Sequence, residues 1–148
     1  MTTATATKRK KHPDKAQLDY FLSQLRQAIK KDIAEFKASK KTSEGYWISD
    51  YSKYRIKDKN KVTVDHVYPL SFRRLAHDWI KSREIDLNAI DSLTHLELKI
   101  LLADWVEFHR ANCKLQIVSK SQNKYLWLVN KSQDIHYSKF YQNSANIS

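Results

Sequence analysis

Asp65 and His66 are the adjacent pair in this 148-residue chain whose chemistry stands out. Asp65 is the last residue of the alternating segment 61–65, and His66 follows it directly. In this segment Val62 and Val64 share one side of a predicted strand. A neutral imidazole, with an ordinary pKa of about 6.5, can take a proton from water at physiological pH. Downstream, Asn123 lies where a helix begins, and with Asp65 it offers the oxygen donors that Mg²⁺ prefers. Phosphodiester hydrolysis needs an activated water and a cation at the phosphoryl group, so these residue types suit that reaction.

Two predicted strands and a helix must position these residues. Segments 61–65 and 115–119 are the strands, and segment 120–131 is the helix that carries Asn123. Between the strands, apolar spacing predicts helices over 72–83 and 94–110, and Thr94 with Glu97 forms a capping-box pattern at the start of the second. Neighbouring residues on a regular strand point to opposite sides, so we expect the chain to twist as it leaves the strand after His66.

The N-terminal part is predicted to be a long amphipathic helix. Apolar residues recur every three or four positions over 14–40, and a short strand at 46–48 and a basic connector at 53–60 follow. We therefore predict an α+β fold in four parts. They are a flexible basic arm (1–13), the helix and connector (14–61), a core (62–131) with a helical insertion (72–110), and a polar tail (132–148).

Two sequence motifs bear a family resemblance. The run VDHVYPLSF at 64–72 and the run LQIVSKSQNK at 115–124 resemble the HNH nucleases of the ββα-metal superfamily, particularly phage-type and homing endonucleases. The resemblance implies a small ββα-metal core, cleavage of DNA with Mg²⁺ or Mn²⁺, and a location inside the host cell. It also implies that Asp65 and Asn123 hold the metal and that His66 activates water.

The sequence departs from the family pattern at three points. The register of the usual structural asparagine holds Lys114, and Asn112 lies two residues earlier. Either Asn112 fills that role through a small bulge, or Lys114 contacts a phosphate instead. His66 and Asn123 are 57 positions apart because two helices are inserted, and the paired cysteines that bind structural zinc in many relatives are absent. Packing of the inserted helices is expected to hold the site.

The net charge of +11 favours a polyanionic partner. Residues 1–61 carry 16 basic and 7 acidic side chains, residues 62–113 carry 6 and 8, and residues 114–148 carry 5 and 1. Two basic flanks around a nearly neutral middle suit a protein that grips a phosphate backbone on either side of its site. The residues predicted to contact DNA are Lys8, Arg9, Lys10, Lys11, Lys53, Arg55, Lys57, Lys59, Lys114, Lys120 and Lys124.

Composition excludes several other classes of protein. A single glycine excludes glycine-rich phosphate loops, and the single cysteine, Cys113, excludes an internal disulfide and an all-cysteine zinc site. The sequence shows neither an apolar run long enough for a membrane span nor a secretory signal. We therefore expect a soluble cytoplasmic protein without a membrane partner.

Alternative interpretations remain open. The protein could be a non-catalytic nucleic-acid-binding module with a decayed HNH motif, or a membrane-surface or partner-binding protein that uses its basic N-terminal helix. That helix could also pair two chains in a homodimer.

His109, at the end of an amphipathic helix, is at least as suited to a structural as to a catalytic role. We expect Trp79, Trp105 and Trp127 in the core, and His77 and His95 at the surface.

Overall fold

The computed structural model describes residues 15–133, where helices alternate with short antiparallel strands. In chain order the elements are α1 (Lys15–Ala28), α2 (Lys30–Ser39), β1 (Trp47–Ile48), β2 (Arg55–Ile56), β3 (Val62–His66), α3 (Phe72–Ser82), a 3₁₀ helix (Leu87–Ser92), α4 (His95–Asn112), β4 (Leu115–Ser119) and α5 (Lys120–Gln133). This mixture agrees with the α+β prediction. The predicted arm 1–13 and residues 134–148 of the predicted tail lie outside the described residues.

Residues 15–133 contain two separate two-stranded antiparallel sheets, β1 with β2 and β3 with β4. Strands β3 and β4 pair from Val62 with Ser119 to His66 with Leu115, so the strands predicted at 61–65 and 115–119 are adjacent. Strand β2 lies inside the segment that we predicted to be a connector. A strand forms there because Ile56 is buried beside Trp47. The sequence did not indicate this burial, because Ile56 is surrounded by charged residues.

The larger core is helical. Apolar residues of α1 and α3 surround Trp105 of α4, whose indole Nε1 donates a 2.8 Å hydrogen bond to the carbonyl oxygen of Leu25. Trp79 packs beside it, with ring centroids 5.4 Å apart, and donates to Asp104 Oδ2 at 2.9 Å. Both indole N–H groups are thus satisfied, so the rings can be buried without leaving a polar group unpaired.

A smaller core supports the β3–β4 hairpin. Trp47, Ile56, Val62 and Ile117 are buried together, and Phe36 of α2 packs against them. The Trp47 indole donates to the carbonyl oxygen of Lys37 at 2.8 Å. This cluster attaches the hairpin to the end of α2, so the apolar residues of the N-terminal segment serve two cores.

The predicted single helix over 14–40 is two helices. The break falls at Ile29, which is buried and adopts φ −96° and ψ 0° between α1 and α2. Residues before the break pack in the helical core, whereas Phe36 after the break packs under the hairpin. The two helices on either side of Ile29 therefore contribute to different cores.

Two predicted side-chain positions are wrong. Trp127, expected in the core, is exposed on α5, and His77, expected at the surface, is buried within α3. His95 is exposed, as predicted. None of the helices within residues 15–133 is both long and apolar enough to cross a membrane.

Candidate functional site

The β3–β4 hairpin places Asp65 and His66 at its end. Asp65 faces Gln116 across the strands and His66 faces Leu115, and a further 2.8 Å bond joins the Val67 N–H to the Lys114 carbonyl oxygen. The strand therefore stays regular through His66. Up to His66 the strand does not turn the two side chains to one face, and they lie on opposite faces of the hairpin with different partners.

His66 faces another histidine. Its Nε2 lies 2.9 Å from Nε2 of His109 on α4, although the two residues are 43 positions apart. The edge of the His66 ring also contacts Phe72, with centroids 6.2 Å apart, and the guanidinium of Arg26 lies 4.1 Å from the Phe72 centroid. The imidazole is thus enclosed by aromatic rings, with a positive charge nearby.

Burial sets the protonation of this histidine pair. It lowers the pKa of His66 to about 4, and the charges of His109 and Arg26 act in the same direction. Burial also lowers the pKa of His109, although Asp32 partly opposes that effect. With both pKa values lowered by burial, the neutral form of each ring is favoured at pH 7. A neutral His66 is the form that can accept a proton.

The hydrogen bond between the rings restricts their tautomers. Two neutral imidazoles can share an Nε2···Nε2 contact only if one nitrogen carries the proton and the other accepts. If His66 donates, its Nδ1 keeps a lone pair that can receive a proton from water. His109 is almost completely buried, and its Nδ1 has no hydrogen-bond partner in the described part of the chain.

Salt bridges hold the end of α4 that carries His109. Arg110 donates to both carboxylate oxygens of Asp32 on α2, at 2.7 and 3.0 Å. This bidentate geometry fixes both the orientation of the Arg110 guanidinium and its distance from the Asp32 carboxylate. The arginine also lowers the pKa of the Asp32 carboxyl, chiefly through these hydrogen bonds.

Asp65 is half-buried and tied to the neighbouring strand. Its Oδ2 accepts a 2.9 Å hydrogen bond from Gln116 Nε2, which leaves Oδ1 for another partner. Burial raises the pKa of this carboxyl, while Gln116 and the backbone of His66 oppose the shift. A partly desolvated carboxylate suits a hard divalent cation, which needs only one or two carboxylates from the protein.

Asn123 lies in the first turn of α5 and is half-buried. The start of this helix is well defined because Ser119 and Gln122 form a capping box, each side chain bonding the other's backbone N–H at 3.1 and 2.8 Å. No hydrogen bond among residues 15–133 joins Asn123 to Asp65. In the same range no three His, Cys, Asp or Glu side chains converge as a metal site. The fit of Asp65 and Asn123 to a magnesium ion rests on their chemistry, since each offers a side-chain oxygen of the kind that Mg²⁺ prefers.

Asn112 does not brace the loop. Its side-chain amide donates to the Phe108 carbonyl oxygen at 2.8 Å, within its own helix. The contact between the chain leaving β3 and the chain entering β4 is made instead by the backbone of Lys114, which accepts from Val67. The backbone of Lys114 thus holds together the two chain segments that flank the insertion, while the Asn112 side chain bonds within α4.

The basic residues predicted to bind DNA are at the surface wherever the structure describes them. Lys53, Lys59, Lys114, Lys120 and Lys124 are exposed, and Arg55 and Lys57 line a cleft of about 440 Å³ together with Lys61. Lys61 was not among the predicted contacts. Lys8, Arg9, Lys10 and Lys11 lie outside the described residues.

Sequence reasoning also missed the partners of the site. Gln116 and Gln122 lie inside the run 115–124 but were assigned no role from the sequence, and their role follows only from the pairing of β4 with β3 and the start of α5. His109 was recognised as a histidine at a helix end, but nothing in the sequence joined it to His66. Comparisons with protein-family models, curated proteins and solved structures found no match to this chain.

Proposed function

We propose that the protein is a divalent-metal-dependent DNA endonuclease of the HNH type, phage-like or homing in its biology. The supporting observation is the order of elements around the candidate residues. Asp65 and His66 end one strand of an antiparallel hairpin, and the second strand leads directly into the helix whose first turn contains Asn123. The strand–strand–helix order and the types of the candidate residues both agree with the ββα core that the resemblance to HNH nucleases implies.

In this proposal His66 is the general base. This role requires that His66 donate through Nε2 to His109, so that its Nδ1 lone pair can receive the proton of the attacking water. Its low pKa keeps the ring unprotonated over the whole neutral range. Asp65 and Asn123 would hold Mg²⁺ or Mn²⁺, which supplies positive charge against the charge that develops on the phosphate. The exposed basic residues hold the DNA backbone.

Supercoiled-plasmid nicking tests the proposal. The wild-type protein should convert supercoiled to open-circular or linear plasmid with Mg²⁺ and not with EDTA. His66→Ala should reduce the rate by about 10²- to 10⁴-fold, the usual effect of removing a general base. His95→Ala, which removes an exposed histidine at the start of α4, is the matched control and should nick at the wild-type rate. Equal rates for wild type and His66→Ala would refute the role of His66.

Metal dependence tests the proposed ligands. Asn123→Ala and Asp65→Asn should raise the Mg²⁺ concentration needed for half-maximal nicking, because each removes an oxygen donor or its charge. Asn112→Ala is the control, since its side chain bonds only its own helix among the described residues. An unchanged metal titration for both ligand variants would place the metal elsewhere.

A second candidate function has its own support. The side chains of Asp65 and His66 lie on opposite faces and are engaged by Gln116 and His109. That arrangement favours a non-catalytic DNA-binding module with a decayed site. Such a module would bind DNA and leave the plasmid intact with both Mg²⁺ and Mn²⁺.

A further inference from the structure

An exposed cluster of tyrosines lies beside a basic cleft. The tyrosine surface consists of Tyr51, Tyr54 and Tyr125, which are 50%, 77% and 54% exposed. Tyr51 and Tyr125 come from distant segments, yet their ring centroids are 6.2 Å apart with planes at 55°. Isolated exposed tyrosines need no explanation, whereas these two exposed rings from distant segments lie together and form a local aromatic patch.

The basic cleft continues from these rings. Tyr54 lines it, and its other lining residues are Ser52, Arg55, Ile56, Lys57, Asp58, Lys61, Ser119 and Gln122. Three of these lining residues carry a positive charge and one, Asp58, carries a negative charge. Tyr51 precedes Ser52 in the chain, and Tyr125 lies three residues after Gln122 on α5, so both rings belong to segments that line the cleft.

A buried network makes this surface rigid. Ser49 is fully buried, its hydroxyl donates to Gln122 Oε1 at 2.8 Å, and it accepts from the backbone N–H groups of Tyr51 and Ser52. Gln122 Nε2 in turn donates to the Ser52 hydroxyl at 2.7 Å. The turn that carries Tyr51 is therefore fixed to the start of α5, and its ring needs little ordering on binding.

We infer that the tyrosine surface and the basic cleft bind single-stranded DNA. Every base has a π-face that can stack on an aromatic ring, whereas a duplex hides those faces between neighbouring pairs. The cations of the cleft would contact the phosphates on either side of the stacked bases. The inference deepens the proposed function, on which it rests for DNA as the polyanion, because it names unpaired DNA as the form that is held.

Fluorescence anisotropy tests this inference without any cleavage. The full chain in EDTA is titrated into a labelled dT₁₂ oligonucleotide and, separately, into a labelled 12-base-pair duplex. The double variant Tyr51→Ala/Tyr125→Ala should bind dT₁₂ at least about fivefold more weakly, since one lost stacking contact has that effect. Its affinity for the duplex should change by less than twofold. Tyr20→Ala removes a tyrosine of similar exposure from α1 and should bind as wild type does.

Further variants separate stacking from charge. Tyr54→Ala, at the most exposed ring, should weaken dT₁₂ binding without loss of fold, and Tyr51→Phe/Tyr125→Phe should keep the wild-type affinity because the rings remain. Arg55→Gln/Lys57→Gln should lower the slope of log affinity against log salt on dT₁₂ by about 1.4, or about 0.7 for each lost phosphate contact.

Two results would overturn the inference. One is wild-type dT₁₂ affinity in both Tyr51→Ala/Tyr125→Ala and Tyr54→Ala. The other is an equal loss of affinity for dT₁₂ and duplex. The nicking assay reports separately on the proposed nuclease, because a protein that fails to nick plasmid can still show selective binding to dT₁₂.

Discussion

Acidification should destabilise this protein through His66. The side chain is neutral and enclosed in the native state, where its pKa is about 4, whereas in the unfolded chain the pKa returns to its ordinary 6.5. Between these values the unfolded state binds a proton that the native state does not. The stability contributed by the neutral ring is therefore complete above pH 6.5 and is lost as the pH falls toward 4.

The size of the effect follows from the two pKa values. Their difference corresponds to about 3 kcal/mol in the free energy of unfolding. At pH 4.5 most of this, about 2.5 kcal/mol, is already lost. Buried His109 acts in the same direction, because burial lowers its pKa too. Asp65 acts in the opposite direction, since its raised pKa favours the protonated native state at acid pH.

Urea unfolding followed by tryptophan fluorescence measures the difference. Free energies of unfolding at pH 7.0, 5.5 and 4.5 are compared for wild type, His66→Asn and His95→Asn. His95→Asn should follow the wild-type decline. His66→Asn should decline by about 2 kcal/mol less between pH 7.0 and 4.5, because Asn does not titrate. Parallel curves for wild type and His66→Asn would show that His66 is not held neutral, and the reasoning from its burial would then be wrong.

Other substitutions test the packing around the site, each by urea unfolding. Trp105→Phe should lower the free energy of unfolding by about 1–3 kcal/mol, because the buried Leu25 carbonyl loses its indole donor. Thr94→Ala should cost about 1 kcal/mol through loss of the capping box of α4, and Thr94→Ser should cost less. Arg110→Ala should lower the free energy of unfolding only slightly, because its pair with Asp32 is partly solvated, and high salt should reduce the difference from wild type.

Local patterns predicted the elements that carry the site. Apolar residues alternate with polar ones at Val62 and Val64, and this local pattern is enough to predict β3 without reference to its partner strand. The capping pair Thr94 and Glu97 is equally local, and it set the start of α4 correctly. Such features are visible because the residues that interact lie within a few positions of one another.

The features that the sequence did not reveal depend on distant contacts. The break at Ile29 arises because two cores attract the two halves of one amphipathic segment. His109 meets His66 only through the packing of α4 against the helical core and the end of β3. Trp127 has the apolar spacing of a core residue, yet α5 presents it outward. In each case tertiary packing decides between placements that local spacing allows.

The helical insertion between β3 and β4 has a consequence for the order of folding. In the unfolded chain the 48 residues 67–114 would form a loop whose closure costs about 3 kcal/mol more than that of the shortest hairpin turn. When α3 and α4 pack with α1 around Trp79 and Trp105, the two ends of the insertion, Val67 and Lys114, lie within hydrogen-bond distance. The β3–β4 hairpin can then close across a short gap. We therefore expect the helical core to form before the β3–β4 sheet, to which the inserted helices contribute no strand.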